Sequence, residues 1–210
     1  MRRTFRTVLC AAATAVCAAV SVPASAAPSA PSAEQTPRAA VVRGGDTIYS
    51  SGVACTVGFN VRRNNVYYAL VAPHCANIGV IWYADAARTI PLGHRVAVTT
   101  QAGIIQYTNP AVSHPGEVNL LNGTIVDITA AASGTAGQPY CHVGQVSGTR
   151  CGTLGPAPTA CSAPGDAGGP AFSGTTAIGL IATNNGTCPT GTSTYWPILA
   201  IVNGFGLSVY

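Results

Sequence analysis

The chain has 210 residues, of which 48% are hydrophobic and only 8% are charged, and its formal net charge is +4 at pH 7. It contains no lysine, and from Val42 onward six arginines stand against five acidic residues. Without a basic face, the sequence argues against binding to nucleic acid or to anionic lipid. The residues from Val42 onward are enough for one core or for two small barrels that share a cleft.

The N-terminal residues have the pattern of an export signal. A basic start is followed by the apolar run 7–22 and by small residues at 24–26, which suit a signal peptidase. We therefore predict a signal peptide over residues 1–26 and a secreted, extracellular protein. Residues 27–41 are rich in proline, alanine and serine, which predicts a disordered spacer. No later segment is long and apolar enough to span a bilayer, so we expect no membrane association.

Six cysteines follow the predicted signal peptide, and an even number in an exported chain indicates disulfides. They are Cys55, Cys75, Cys141, Cys151, Cys161 and Cys188. Six cysteines allow fifteen connectivities, and their order alone does not choose among them. Because no C-x-x-C pair occurs and the four histidines are scattered, we predict no metal site and no cofactor.

Short β-rich runs separated by glycine, asparagine and proline dominate the remaining chain. A hairpin is predicted from strands Thr56–Val61 and Val66–Ala72 around a turn at residues 62–65. The only predicted helix is Leu199–Phe205. Many short strands at this spacing predict an all-β sandwich or barrel. Further predicted strands are Gly79–Ala84, Arg95–Thr100, Ile104–Thr108, Thr124–Thr129, Gln138–His142, Ala171–Phe172, Thr176–Ala182 and Ser193–Ile198.

Several long stretches resemble one protein family. They are GGDTIYSSGVACTVGFNV, YYALVAPHCANIGVIWYADAARTIPLG, CSAPGDAGGPAFSGTTAIGL and the C-terminal ILAIVNGFGLSVY. Together they resemble the streptogrisins and α-lytic protease, which are chymotrypsin-like bacterial serine proteases. The resemblance implies two antiparallel six-stranded β-barrels with a catalytic cleft between them. We assign residues 42–118 to the N-terminal barrel and 119–210 to the C-terminal barrel, and we expect a monomer.

The resemblance also implies how the cysteines pair and where the fold is shortened. The implied disulfides are Cys55–Cys75, Cys141–Cys151 and Cys161–Cys188. Only nine residues separate Cys151 from Cys161, where the family has a strand with its turns and one wall of the specificity pocket. We therefore predict that the second barrel is shortened.

A chymotrypsin-like cleft works with a serine nucleophile, a histidine base and an aspartate that orients the histidine. The resemblance places His74 at the histidine position, after Pro73 in place of the family's glycine. Gln101 stands where the family has its aspartate, and Ala167 stands where it has its serine. A methyl group cannot be acylated, and an amide carries no charge to stabilise an imidazolium. The sequence therefore predicts a catalytically inactive relative.

Two further parts of the cleft concern binding. Gly165 and Ala167 are at the positions whose backbone N–H groups form the family's oxyanion hole. Ala182, Thr183 and Asn184 replace the Ser-Gly-Gly strand that pairs with substrate, so side chains stand where glycines leave room. We expect a vestigial cleft that binds a peptide or a protease inhibitor.

Two alternative functions stay open. One is a secreted endopeptidase that uses a displaced nucleophile, for which Ser162 and Ser173 are the nearest candidates in sequence to Ala167. The other is an extracellular structural domain with no specific ligand, which the sequence does not distinguish from a binding protein.

One substitution also predicts a structural pairing. His142 stands where the family commonly has an arginine that holds the loop aspartate, which is Asp166 here. We expect His142 to pair with Asp166, which would raise the pKa of the histidine and stabilise the loop at acidic pH.

Overall fold

A computed structural model describes residues 40–210, and of residues 183–185 it describes the backbone alone. The predicted signal peptide and most of the predicted spacer therefore lie outside the described residues. Within the described part, no helix is long and apolar enough to cross a membrane. The elements are β1 (Ala40–Val41), β2 (Thr47–Ser50), β3 (Val53–Thr56), β4 (Asn60–Arg63), β5 (Val66–Val71), α1 (Pro73–Ile78), β6 (Ile81–Tyr83), β7 (Pro91–Val98), β8 (Gly103–Tyr107), β9 (Val112–Ser113), β10 (Glu117–Asn119), β11 (Ile125–Asp127), β12 (Ala130–Ala131), β13 (Pro139–Gly144), β14 (Gly148–Thr153), β15 (Pro170–Ser173), β16 (Thr176–Asn185), β17 (Thr192–Pro197) and α2 (Ile198–Phe205).

The first sheet wraps into a six-stranded barrel. Its antiparallel order is β3-β2-β6-β7-β8-β5-β4, and β3 and β4 are consecutive halves of one bent strand. At the bend, the Val57 N–H donates to the Asp46 carbonyl on one side, at 2.9 Å. The Gly58 N–H donates to the Leu70 carbonyl on the other side, at 2.7 Å. The bent strand thus joins both ends of the sheet, as the predicted barrel requires.

The predicted hairpin is present, with its boundaries shifted. β4 continues to Arg63, so the turn consists of Asn64 and Asn65 alone rather than residues 62–65. Both asparagines have positive φ, at 48° and 61°. Asparagine tolerates this left-handed conformation, which two-residue hairpin turns require. The predicted strand Thr56–Val61 was wrong in its extent, because the bend at Val57–Phe59 interrupts it.

The second sheet has six strands, and the segment that follows β14 is short, as predicted. Its order is β12-β16-β15-β13-β14, with β17 also on β16, and only β12 runs parallel to its neighbour. On the outer side of β14 lies a short loop rather than a strand. The Thr153 N–H donates to the Thr159 hydroxyl at 2.8 Å, and the Thr159 N–H returns to the Thr153 carbonyl at 3.1 Å. The nine residues between Cys151 and Cys161 therefore fold back over the sheet edge.

The two helices flank the two sheets. α2 confirms the predicted C-terminal helix, and it ends at Gly206, whose φ of 61° is left-handed. The prediction that Leu199–Phe205 is the only helix was wrong, because the structure has another helix, α1, directly after β5. Pro73 occupies the first turn of α1, where its missing N–H costs nothing, and Ala72 before it is extended. The sequence pattern did not reveal this six-residue helix, because β-rich segments lie on both sides of it.

The largest core cluster joins both sheets. It includes Phe59 and Leu70 from the first sheet and Phe172 and Leu180 from the second, all almost fully buried. Gly58 lies at this junction: a Cβ there would meet the Leu180 side chain and would lie 2.7 Å from the Gly168 carbonyl oxygen. The contact has no room for a methyl group.

We expect Gly58→Ala to lower the free energy of unfolding by about 1–3 kcal/mol, because overpacking forces backbone shifts. Gly204→Ala in α2 is the control, since a Cβ there meets nothing within 4 Å. It should be neutral or stabilise by up to about 1 kcal/mol. Urea unfolding of both variants measures the difference, and equal stabilities would contradict this packing.

Candidate functional site

His74 is the second residue of α1 and is exposed. Cys75, beside it, forms a disulfide with Cys55 and is buried, which anchors the helix to β3. Within residues 40–210, the His74 ring makes no hydrogen bond or ion pair. A ring nitrogen of His74 and the two sulfurs lie within 4.8 Å of one another. The sulfurs are bonded to each other and are therefore not thiolate ligands for a metal.

The loop from Ala163 to Gly169 forms a tight elbow around a buried carboxylate. Asp166 is fully buried, and its Oδ1 accepts the N–H groups of Val146 and Ser147 at 2.7 and 3.0 Å. Its Oδ2 accepts the Ala163 N–H at 2.6 Å. Three backbone donors satisfy a charge that would otherwise be costly to bury.

Ala167 sits at the tip of this elbow and faces the helix that carries His74. It packs against the core cluster that contains Ala72 and Cys75, at the start of α1. Gly168, with φ of 90°, approaches so closely that a Cβ would lie 2.5 Å from the Ala72 nitrogen. The structure thus brings the predicted nucleophile position next to the predicted histidine helix, with a methyl group at the tip.

The predicted oxyanion-hole donors have no acceptor in the part of the chain that the structure describes. Within the described residues, the backbone N–H groups of Gly165 and Ala167 make no hydrogen bond. Gly165 has a φ of 105°, which glycine adopts without strain. The neighbouring Gly168 N–H, in contrast, donates to the Ile181 carbonyl at 2.7 Å. Two unpaired donors on a braced loop are suited to binding a carbonyl or an anion.

Gln101 lies just before β8 and does not orient His74. Its backbone N–H donates to the Thr99 hydroxyl at 3.2 Å. Its side-chain amide bonds to none of the described residues. β8 packs on α1 at Gly103, where a Cβ would collide with Ala76. The strand and the helix are therefore adjacent, but no hydrogen bond joins Gln101 to the imidazole.

The predicted substrate strand, Ala182–Asn184, lies inside β16. It pairs with β17 beyond an irregularity between Ile181 and Thr183. The Ile181 N–H donates to the Gly169 carbonyl at 2.9 Å, which ties the strand to the elbow. Ala182 is half-buried. The strand thus borders the elbow, and its substrate-binding role stays a prediction.

The two candidate displaced nucleophiles lie in other surroundings. Ser162 is fully buried, and its hydroxyl accepts from Ser193 at 2.8 Å. Ser173 donates to the Pro139 carbonyl at 2.7 Å, at the end of β15. Both hydroxyls are engaged in structural hydrogen bonds.

His142 does not pair with Asp166, so that prediction was wrong. Its Nε2 lies 2.9 Å from the Cys161 carbonyl oxygen and its Nδ1 lies 2.6 Å from the Tyr195 hydroxyl. The Tyr195 hydroxyl in turn lies 2.7 Å from that of Tyr140. The carboxylate of Asp166 is already satisfied by backbone N–H groups, so it recruits no histidine.

The partners of His142 assign its protonation state. A carbonyl oxygen only accepts, so Nε2 carries the proton, and Nδ1 accepts from Tyr195. Burial lowers the pKa of His142, and it outweighs the Cys161 carbonyl and the more distant Asp166 charge. Burial also raises the pKa of Tyr195 and of Tyr140, which keeps both as neutral donors. Sequence reasoning missed these tyrosines, although Ser193 and Tyr195 alternate inward along β17.

The three disulfides of the structure are those that the resemblance implied. They are Cys55–Cys75, Cys141–Cys151 and Cys161–Cys188. The last one joins the segment leading into the elbow to the region after β16. Two β-sheets packed around an elbow, with a histidine helix facing its tip, define the class of chymotrypsin-like serine proteases.

Comparisons with known proteins place the chain within this class. It is similar to the solved structure of a glutamic acid specific serine protease described as using a histidine triad in substrate binding, with a TM-score of 0.75 and 32% identity over 80% of this chain and 100% of that one. Alpha-lytic protease homolog N4 gives a TM-score of 0.69 and 36% identity over 81% and 100%. No protein-family model matches the sequence.

Curated relatives agree with the structural neighbours. Glutamyl endopeptidase 2 of Streptomyces griseus is 33% identical over 189 residues, which are 80% of this chain and 100% of that protein. Streptogrisin-A of Streptomyces griseus is 34% identical over 190 residues, but the chain spans only 61% of its length. Serine protease 1 of Streptomyces fradiae is 34% identical, with 52% of its length spanned. The chain belongs to the streptogrisin and α-lytic protease family of chymotrypsin-like serine proteases.

We expect NMR titration to give His142 a pKa below the ordinary value of 6.5, because burial disfavours the imidazolium. Below pH 6.5 the unfolded chain then binds more protons than the folded chain. The free energy of unfolding therefore decreases as the pH falls, by up to about 1.4 kcal/mol per pH unit.

His142→Gln is the control, because the glutamine side chain is neutral at every pH of the experiment. Burial also lowers the pKa of the half-buried His114, and the variant keeps the pH dependence of stability that His114 causes. The variant should lose less stability than the natural chain between pH 6.5 and pH 4.5. A raised pKa for His142 would contradict this arrangement and would support the pairing of His142 with Asp166.

Proposed function

We propose that this protein is a secreted pseudoprotease that binds a peptide or a protein in the vestigial cleft without cleaving it. The single observation that carries the proposal is the methyl group of Ala167 at the tip of the elbow. Three disulfides and the family relationship support an extracellular location.

The missing hydroxyl removes the first chemical step. In this family a serine oxygen attacks the peptide carbonyl while the histidine takes its proton. Removing such a nucleophile costs about a million-fold in turnover. The oxyanion hole and substrate binding then leave about 10³–10⁴-fold acceleration over water, which is too little for useful peptide hydrolysis.

The surroundings of His74 support the same conclusion. An imidazole acts as a strong base when a carboxylate holds its tautomer and stabilises the imidazolium. Here the side chain of Gln101 makes no hydrogen bond to the ring within the described residues. Ser162 is buried and Ser173 is bound to the Pro139 carbonyl, so neither hydroxyl is free to replace the nucleophile.

Features that serve binding are kept. The elbow is braced by Asp166, and the N–H groups of Gly165 and Ala167 have no acceptor within the described residues. Gly165 is exposed and Ala167 is half-buried, so a peptide carbonyl can approach both donors and accept from them. Ala182 borders the elbow on β16, beside the place where a bound peptide would lie.

We expect the purified chain neither to react with a fluorophosphonate probe nor to cleave casein above background. The absence of an attacking oxygen at residue 167 is the reason. An active chymotrypsin-like protease provides the positive control, and intact-mass spectrometry provides the readout. Labelling or turnover that disappears in His74→Ala would refute the proposal and restore the endopeptidase alternative.

Restoring both groups tests how far the cleft has changed. We expect Ala167→Ser combined with Gln101→Asp to give little peptidase activity, because Ala182–Asn184 and the shortened loop alter substrate binding as well. Peptide-nitroanilide hydrolysis measures it, with Ala167→Ser alone as the matched control. Robust cleavage by the double variant would show that binding of substrate has survived.

A further inference from the structure

Three aliphatic side chains that are close together in sequence are exposed at the junction of α1 and β6. The exposed fractions are 59% for Ile78, 51% for Val80 and 48% for Ile81. With Arg88 they border a surface depression of about 280 Å³, which also touches Ser50 and Tyr83. We name Ile78, Val80, Ile81 and Arg88 the α1–β6 patch. Exposed aliphatic clusters beside polar groups are a common mark of interaction surfaces.

The backbone under the patch is held rigidly. Gly79 packs directly on the buried Trp82, and a Cβ at Gly79 would lie 2.8 Å from the Ser50 Cβ. The Gly79 N–H donates to the Cys75 carbonyl at 2.9 Å, and the Arg95 N–H donates to the Val80 carbonyl at 2.9 Å. A surface that is already ordered loses little conformational entropy when a partner binds.

Arg88 brings a positive charge to the patch. Its φ of 58° is left-handed, and its N–H donates to the Asp85 carbonyl at 3.0 Å. The Asp85 carboxylate accepts the N–H groups of Thr89 and Ile90 at 2.9 and 2.8 Å, so it closes the loop. Within residues 40–210, no acidic side chain forms an ion pair with Arg88. The guanidinium is therefore available to a carboxylate from outside.

We propose that the α1–β6 patch is a docking surface for an extracellular protein segment that carries an aliphatic side chain next to a carboxylate. The three aliphatic side chains match the aliphatic group. Arg88 is the only charged side chain among the described residues that line the depression, and it matches the carboxylate. This proposal concerns a surface other than the cleft, and it does not depend on whether the cleft turns over a substrate.

Two short peptides test the proposal by NMR on the isotope-labelled chain. The probes are acetyl-Gly-Leu-Glu-Gly-amide and its Gln counterpart, which differ in one charge. We expect the Glu peptide to shift the amides of Ile78, Val80, Ile81 and Arg88. The Gln peptide should bind about three-fold more weakly, the size expected for an exposed ion pair. Equal affinities, or shifts confined to the elbow 163–169, would overturn the proposal.

Matched variants separate the two contributions. Arg88→Asn keeps a residue that tolerates positive φ and should abolish the difference between the peptides. Val80→Ser should weaken both peptides by about five-fold through lost apolar contact. Ile125→Ser, exposed to 41% on β11, is the control and should change neither affinity.

Thermal unfolding of each variant confirms that it is folded before its affinity is compared. A titration of the chain alone provides the last check. Concentration-dependent shifts at the α1–β6 patch without peptide would mean that a second copy covers it, and the proposal would then be wrong.

Discussion

The elbow 163–169 depends on the hydrogen bonds of the buried Asp166 carboxylate. This carboxylate has no solvent to stabilise its charge, and three backbone N–H groups from two separate loops replace that solvent. Val146 and Ser147 follow β13, whereas Ala163 is the first residue of the elbow. The one side chain therefore ties the elbow to the second sheet. Gly168 packs closely on Ala72, at the start of α1, and Gly168 and Gly169 form backbone hydrogen bonds with Ile181 of β16.

None of these contacts uses the side chain of residue 167. The elbow is held by its carboxylate, its glycines and its backbone, whereas the methyl group of Ala167 only packs against the neighbouring core cluster. This separation is a physical reason why the elbow can form with an alanine at the predicted nucleophile position. It also leaves the backbone N–H groups of Gly165 and Ala167 in place, at the predicted oxyanion-hole positions.

His142 illustrates how burial overrides charge attraction. A positive imidazolium beside Asp166 is favourable in isolation, but the ring is fully buried. A neutral ring between the Cys161 carbonyl and the Tyr195 hydroxyl satisfies both nitrogens without burying a second charge. Tyr140 and Tyr195 complete the hydrogen bonds, and together they fill space beside the shortened edge of the second sheet.

The sequence by itself determined the class of fold and, through the family resemblance, the disulfide pairs. The roles that it gives to residues 74, 101 and 167 stay predictions. Strand patterns, the two asparagines of the β4–β5 hairpin and the C-terminal helix are local signals, so a single sequence carries them. α1 was missed because six residues make fewer than two helical turns, which is too short for a helical repeat of apolar residues to be recognised. Only the tertiary structure decided that His142 meets Tyr195 rather than Asp166, and that Gln101 leaves the imidazole unbonded. Those outcomes depend on which distant groups share a buried space and which donors are already satisfied, and no local pattern records either.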